Sequence, residues 1–254
     1  MDNIAGFPPR RLAIGVAALL ASTVGLFACG SAWQTNTGVA ETLQGKYISV
    51  VNGVSPSVVL IQTPQGLGSG VVLDTKGNVV TNAHVVAGAT ELSVTLLRGR
   101  QVAATLVGTD PSSDLAVVHM TGATPTPATF ADSSKISVGD IALAIGNPLG
   151  LHSSVTEGIV SSLDRTVSEG NGVTLTSAIQ TSAAINPGNS GGALVDLSGH
   201  VIGIPTLAAL DPQLGNSQAS GIGFAISSNQ VTTVAARILA AGSAGAGTKL
   251  ALAR

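Results

Sequence analysis

The chain has 254 residues, enough for one large domain or two modest ones with a sizeable hydrophobic core. Charge is sparse: Asp, Glu, Lys and Arg make up 9% of the residues, the net charge is −2, and the 11 Lys and Arg are scattered, which excludes a basic surface for nucleic acid. The 44% of hydrophobic residues exclude a disordered chain, and the 32 glycines favour short strands joined by turns over a coiled coil.

The N-terminal segment, residues 1–30, has the strongest compositional bias in the sequence. Arg10 and Arg11 precede a run without charges, Leu12–Cys29, which predicts an export signal or a membrane anchor. Its apolar core of about 18 residues lies between the length of a signal peptide and that of a membrane-spanning helix. Three readings stay open: a cleaved signal peptide, an uncleaved anchor, and a lipoprotein signal in which Cys29 after Leu26-Phe27-Ala28 is lipidated.

The next segments are predicted to be a polar linker, residues 31–46, and a globular domain, residues 47–242. The linker is rich in small polar residues. The domain contains about a dozen short β-type runs with turn residues between them, which suggests a barrel or a sandwich. The predicted strands are Ser57–Gln62, Gly70–Asp74, Val79–Thr81, Leu92–Leu97, Val102–Val107, Leu115–His119, Ile141–Ile145, Val155–Ser161, Thr174–Gln180, Ala193–Asp196, Val201–Thr206 and Ile222–Ile226.

One helix is predicted near the C-terminus, over Ser228–Ala241. Ser228 can cap its first turn, apolar residues recur at helical spacing between Val231 and Leu239, and Gly242 follows as a stop signal. Residues 243–254 are rich in glycine and are predicted to be a flexible tail. The expected fold class is therefore all-β with a C-terminal helix, preceded by the hydrophobic signal or anchor segment.

The segment Gly188-Asn189-Ser190-Gly191-Gly192 surrounds one hydroxyl with residues that leave the backbone accessible. Ser190 is the candidate nucleophile. The oxyanion hole is expected in Gly188, Asn189 and Ser190, with the N–H groups of Gly188 and Ser190 as its donors. A plain glycine-rich turn is the alternative at this point.

A serine nucleophile requires a base, and His84 is the best placed, because it follows a strand and precedes small residues, where a side chain can face a cleft. The imidazole in turn requires a carboxylate to fix its tautomer. Asp114 opens an apolar strand and is the candidate, whereas Asp110 precedes Pro111 and favours a turn. The other histidines lie in an apolar strand or beside glycine-containing turns: His119, His152 and His200.

Three blocks, Thr81–Val85, Asp114–Val117 and Gln180–Gly192, resemble the catalytic blocks of the HtrA/Deg family of trypsin-like serine proteases. Their order along the chain, His then Asp then Ser, is that of the chymotrypsin-type fold. The resemblance runs from about Pro56 to Asn229. It implies a chymotrypsin-like double β-barrel with six strands in each barrel, an active site between them, and a triad of His84, Asp114 and Ser190.

Several positions depart from the pattern of the family. Ser182 stands where Asp is usual, Ala193 replaces a common Pro, and Pro205 replaces Asn in the strand expected to pair with substrate. Asn189 is an amide, so it cannot form the ion pair with a freed N-terminus that activates digestive trypsin-like enzymes. The sequence after the predicted helix is too short for a PDZ domain, so a protease domain alone is expected.

The primary specificity pocket is expected around uncharged residues of the second barrel: Ala184, Ile185, Ile202, Gly203 and Ile204. A small apolar pocket favours cleavage after Val, Ala or Leu over Arg or Lys.

The sequence thus predicts a serine endopeptidase that acts on polypeptides in a bacterial cell envelope, either membrane-tethered with its protease domain on the non-cytoplasmic side or secreted. No metal or other cofactor is expected, because no ligand spacing or phosphate loop is present. The resemblance adds a homo-oligomer as an expectation. The alternative is a catalytically silent binding or chaperone-like protein on the same fold, with Ser182 and Pro205 as its support.

Overall fold

A computed structural model describes residues 37–123, 125–147, 154–168, 173–186, 188–211 and 217–251, some of them by their backbone alone. The predicted signal or anchor segment with Cys29 lies outside these residues, and so does His152. Within the described part of the chain, no helix combines the length and the apolar character that are needed to cross a bilayer.

The first barrel contains six antiparallel strands: β1 (Val58–Thr63), β2 (Gly66–Val72), β3 (Asn78–Asn82), β4 (Leu92–Thr95), β5 (Gln101–Asp110) and β6 (Leu115–Met120). Hydrogen-bonded neighbours follow the order β1-β2-β3-β6-β5-β4, and β4 pairs with β1 to close the barrel. The turn between β2 and β3 is held by the carboxylate of Asp74, which accepts the N–H groups of Lys76 and Asn78 at 2.8 and 3.1 Å. Gly77 between them has φ +92°, a conformation that favours glycine.

The second barrel contains β7 (Ile141–Gly146), β8 (Ser154–Ser168), β9 (Thr174–Thr181), β10 (Ala193–Val195), β11 (Val201–Asp211) and β12 (Ser217–Ser227). Its neighbours follow the order β7-β8-β9-β12-β11-β10, and β10 pairs with β7 to close it. This is the strand order of the first barrel, repeated. Each predicted strand overlaps one of these twelve, so the double barrel is confirmed.

The hydrophobic core consists of three clusters. One, the shared cluster, combines residues of both barrels with residues of the N-terminal and C-terminal helices. Each barrel also has a private cluster, made of residues from that barrel alone. Successive side chains of a strand point to opposite faces. On β3, Val79 therefore lies inside the first barrel, whereas Val80 belongs to the shared cluster. On β7, Ala144 lies inside the second barrel and Ile145 belongs to the shared cluster. Both faces of these strands are buried, which explains why they read as continuous apolar runs.

A helix, α1 (Thr37–Val54), precedes the first barrel. It covers residues 37–46 of the polar linker that the composition predicts, so this part of the prediction is corrected. Farther along the same helix, Val50 and Val54 are buried in the shared cluster. A single helical turn, α2 (Ala83–Val86), follows β3.

The C-terminal helix, α3 (Ser228–Ala251), begins at the predicted residue but does not end at Gly242. A Cβ at Gly242 would lie 2.7 Å from Cγ1 of Val107 on β5. The glycine therefore allows the helix to approach the first barrel closely and does not cap it. The predicted flexible tail is thus corrected for residues 243–251, since the helix continues to Ala251, and residues 252–254 lie outside the described residues.

Candidate active site

The register of β3 and β6 brings His84 next to Asp114. The two strands are antiparallel neighbours, and Asn82 at the end of β3 pairs with Leu115 at the start of β6. The side chains immediately beyond these ends therefore meet. Nδ1 of His84 lies 2.9 and 3.1 Å from the two carboxylate oxygens of Asp114. A carboxylate only accepts hydrogen bonds, so Nδ1 carries the hydrogen and Nε2 is left as the basic nitrogen.

The carboxylate of Asp114 is held by further donors at the bottom of the site. Its side chain is 3% exposed, whereas the imidazole of His84 is 45% exposed and accessible to a substrate. The backbone N–H of His84 donates to Asp114 Oδ1 at 3.0 Å, and the hydroxyl of Thr206 on β11 donates to Oδ2 at 2.6 Å. Asp114 has φ +49°, a left-handed conformation that Asp tolerates better than most residues.

The competing carboxylate, Asp110, has other partners. It accepts the hydroxyl of Ser112 at 2.5 Å and forms an ion pair with Arg237 of α3. The Ser112 hydrogen bond and the Arg237 charge lower the pKa of Asp110 below its usual value, although burial opposes them. Asp110 therefore joins α3 to the first barrel.

The remaining described histidines lie in other surroundings. Nδ1 of His119 is 3.2 Å from Oδ1 of Asn78, and its ring lines a cavity of about 420 Å³ together with Lys76 and Arg100. His200 lies 3.9 Å from the carboxylate of Asp196 at a turn.

Thr206 connects Ser190 with the His84–Asp114 pair, because it forms a hydrogen bond with Ser190 and another with Asp114. The Ser190 hydroxyl donates to the Thr206 carbonyl oxygen at 3.0 Å, while the Thr206 hydroxyl binds Asp114. The N–H of Gly191 donates to the carbonyl of Pro205 at 2.9 Å, which ties the serine loop to β11. The sequence analysis did not identify Thr206, because a single hydroxyl in an apolar strand gives no pattern.

Two backbone N–H groups beside Ser190 have no acceptor among the residues that the structure describes. The carbonyl of Gly188 accepts the Ser69 hydroxyl, that of Asn189 accepts the N–H of Gly192, and that of Ser190 accepts the N–H of Ser69. The Asn189 N–H donates to Asn186. Among the described residues, no acceptor binds the N–H groups of Gly188 and Ser190. These are the donors expected of an oxyanion hole, and Gly188 has the positive φ, +98°, that the loop requires.

Comparison with known proteins bears on this arrangement. Residues 68–204 match the model of the trypsin-like peptidase domain. The chain belongs to this family. It is 50% identical over 175 residues to the periplasmic serine endoprotease DegP of Escherichia coli (strain K12), covering 68% of this chain and 36% of DegP. It is 42% identical over 221 residues to the serine protease PepD of Mycobacterium tuberculosis (strain ATCC 25618 / H37Rv), covering 79% of this chain and 48% of PepD.

Solved structures give the same result. The HtrA-type protease AlgW with a tripeptide is similar with a TM-score of 0.70 and 41% identity, over 77% of this chain and 64% of AlgW. The resemblance to the HtrA/Deg family is therefore confirmed. The chain spans less than half the length of DegP and of PepD.

The expected pocket residues of this trypsin-like domain are only partly brought together. The side chain of Ile185 packs against Gly223, where an added Cβ would lie 2.4 Å from Cγ1 of Ile185, and Ala184 beside it is exposed. Ile202 is buried in the private cluster of the second barrel, and Ile204 in the shared cluster. Gly203 between them faces Ile226 and Ala225. The assignment of Ile202, Gly203 and Ile204 to the pocket stays a prediction.

The positions that depart from the family pattern are accommodated locally. The hydroxyl oxygen of Ser182 accepts the N–H of Ile159 at 3.0 Å, so Ser182 binds β8. Pro205 lies where the pairing of β11 with β12 shifts register, a place where a missing N–H is tolerated. Within the described part of the chain, no group of three or more His, Cys, Asp or Glu side chains could hold a metal ion.

Proposed function

We propose that this chain is a serine endopeptidase that cleaves exposed or unfolded segments of polypeptides through an acyl-enzyme. One observation carries the proposal: Thr206 binds both Ser190 and the carboxylate of the His84–Asp114 pair. The N–H groups of Gly188 and Ser190, which have no acceptor among the described residues, belong to the same loop as Ser190. A nucleophile, a base with an orienting carboxylate, and an oxyanion site are the parts that acyl transfer needs.

Each group has a defined task in this reaction. The Ser190 oxygen attacks the carbonyl carbon, and its proton passes to Nε2 of His84. The resulting imidazolium is stabilised by Asp114, and the N–H groups of Gly188 and Ser190 bind the oxyanion. His84 then protonates the leaving amine, and a water molecule releases the acyl group by the same steps.

The proposed preference is for small aliphatic residues before the cut. Its support is Ile185, which fills the space next to Gly223, and Ala184, which adds no charge. A shallow uncharged site discriminates against long cationic side chains, because their charge would be left unpaired.

We also propose a location on the non-cytoplasmic side of a bacterial membrane, with an anchor in residues 1–30, and assembly as a homo-oligomer. The support for the location is the charge-free run after Arg10 and Arg11, together with the name of DegP, which describes that relative as periplasmic. The support for the homo-oligomer is the family resemblance alone. The anchor is an uncleaved helix or a lipid on Cys29.

The test of the function is reaction with a fluorophosphonate probe together with cleavage of casein. The wild type is expected to be labelled and to cleave casein, and Ser190→Ala is expected to do neither while keeping its circular dichroism spectrum. Ser198→Ala, an exposed serine at a turn in the same part of the chain, is the matched control and is expected to react like the wild type. Cleavage by Ser190→Ala at the wild-type rate would overturn the assignment.

Mass spectrometry of the membrane-extracted protein tests the anchor. A lipoprotein is expected to begin at Cys29 with added acyl mass, and an uncleaved anchor is expected to retain the N-terminal segment. A soluble species that starts after Gly30 and carries no lipid would exclude both forms of anchoring.

A further inference from the structure

Ser69 on β2 belongs to the first barrel, but its hydroxyl and its backbone N–H form hydrogen bonds with the second. We propose that Ser69 is a positioning residue that holds the loop carrying the two oxyanion donors, Gly188–Ser190, in its working conformation. The inference rests on the proposed function and names a residue that this function requires in addition to the triad.

The hydroxyl of Ser69 is fully buried and has two partners, both in the second barrel. It accepts the N–H of Asn147, just after β7, at 2.8 Å. A backbone N–H can only donate, so the Ser69 hydrogen is free to point elsewhere, and it points to the carbonyl oxygen of Gly188 at 2.5 Å. The direction of this hydrogen bond is thus fixed by its neighbours.

The backbone of Ser69 holds the other side of the same loop. Its N–H donates to the carbonyl of Ser190 at 2.9 Å. Its carbonyl oxygen accepts the hydroxyl of Thr81, on the neighbouring strand, at 2.7 Å. This carbonyl also lies so close to Gly191 that an added Cβ there would be 2.2 Å from it. Ser69 thus fixes the carbonyls of Gly188 and Ser190, and the free N–H of Ser190 lies between them.

Among the described residues, no ion pair supports the loop. Asn189, in the middle of the loop, is buried and uncharged, and its side-chain amide donates to the carbonyl of Ala184 at the long distance of 3.4 Å. Oxyanion donors contribute to the rate only if they are already aimed before the reaction, since any reorganisation is added to the barrier. Neutral hydrogen bonds from a strand can hold the donors in this orientation, and the Ser69 side chain forms one such hydrogen bond with the loop.

The experiment compares Ser69→Ala with Ser228→Ala. Ser228 is a matched control: its hydroxyl is also fully buried and also donates to a carbonyl far away in sequence, that of Ala131 at 2.8 Å, but it lies at the start of α3. Ser228→Ala loses one buried hydrogen bond, whereas Ser69→Ala loses two, those with Asn147 and Gly188. The measurements are kcat and KM on labelled casein, and the rate of fluorophosphonate labelling. All rates are normalised to the number of active sites found by exhaustive labelling.

Ser69→Ala is expected to lose roughly 10- to 100-fold in kcat and in labelling rate, with KM changed less than twofold. The reason is that misplaced oxyanion donors matter only when negative charge develops on the substrate carbonyl oxygen in the transition state. Ser228→Ala is expected to keep the wild-type kcat per active site. A purely structural role of Ser69 would lower the number of active sites and leave the rate per site unchanged, and that result would overturn the proposal.

Two further outcomes are distinguishable. If the wild type neither labels nor cleaves, the proposed function itself is wrong, whereas an active wild type with an equally active Ser69→Ala contradicts only the role of Ser69. Should Ser69→Ala be unfolded at the assay temperature, Ser69→Cys takes its place. It keeps nearly the same volume with a much weaker donor, so it is expected to show the same loss in kcat, and a wild-type kcat would contradict the inference.

Discussion

Asp114 illustrates what the sequence can predict about single residues and what it cannot. Its role followed from a carboxylate at the start of an apolar strand, and the strand register places it against His84. Its other partner, Thr206, could not be predicted, because it comes from β11, 92 residues away in the sequence. The role of Ser69 could not be predicted either, because the hydrogen bonds of its hydroxyl cross from the first barrel to the second.

Asp114→Asn is expected to lower turnover by about 10⁴-fold with little change in stability. The amide can donate towards Nδ1 of His84, and this favours the tautomer in which Nε2 carries the hydrogen and can no longer act as the base. Initial rates of casein cleavage measure the loss. Asp110→Asn is the control, and an equal loss in that variant would show that the orienting carboxylate has been misassigned.

At the scale of elements, β-type runs and the turn residues between them were enough to predict the described strands, but not the helix boundaries. The residues of α1 that contact the shared cluster lie in its second half, where Val50 and Val54 are buried in the cluster and Tyr47 and Val51 pack against it. The end of α3 was misplaced because a glycine that permits close packing looks, in the sequence, like a glycine that ends a helix. For the pocket the sequence gives little guidance, because residues 201–206 of β11 are all buried and alternation does not tell which face lines a site.

The attachment of α3 to the first barrel is expected to depend on pH. The pKa of Asp110 is lowered in the folded state, so its contribution to stability is fully present above its unfolded pKa of about 3.9 and is lost as the pH falls through the folded value. Asp110→Asn is therefore expected to lower the Tm at pH 7 by roughly 1–3 °C. Thermal unfolding from pH 7 to pH 2.5 measures the difference. If the difference in Tm between the wild type and Asp110→Asn stays constant down to pH 2.5, the charge of Asp110 is not its cause.

At the scale of the whole molecule, the largest cluster draws residues from both barrels, from α1 and from α3. A large apolar interface makes two halves unfold together, whereas a small polar one lets them separate. The two barrels are therefore expected to behave as one cooperative unit, although each closes its own sheet.

Val118→Ala tests this cooperativity. Val118 is fully buried and belongs to the private cluster of the first barrel, so the substitution is expected to cost about 1–3 kcal/mol there. In a urea titration, far-ultraviolet circular dichroism and fluorophosphonate labelling of Ser190 in the second barrel are expected to shift to the same lower midpoint. If the labelling transition kept its wild-type urea midpoint while part of the dichroism transition moved to lower urea, the barrels would unfold independently.

The repeated strand order has a consequence for biosynthesis. In each barrel the last strand made pairs with the third and the fifth, so the second barrel cannot close until Ser217–Ser227 has been synthesised. His84 and Asp114 leave the ribosome early, but Ser190 gains its partners on β11 only as that closure occurs. A chain that has not yet closed its second barrel is therefore expected to lack the proposed protease activity, even when His84, Asp114 and Ser190 have all been synthesised. For a protein that crosses a membrane before it folds, this would protect the cell that makes it.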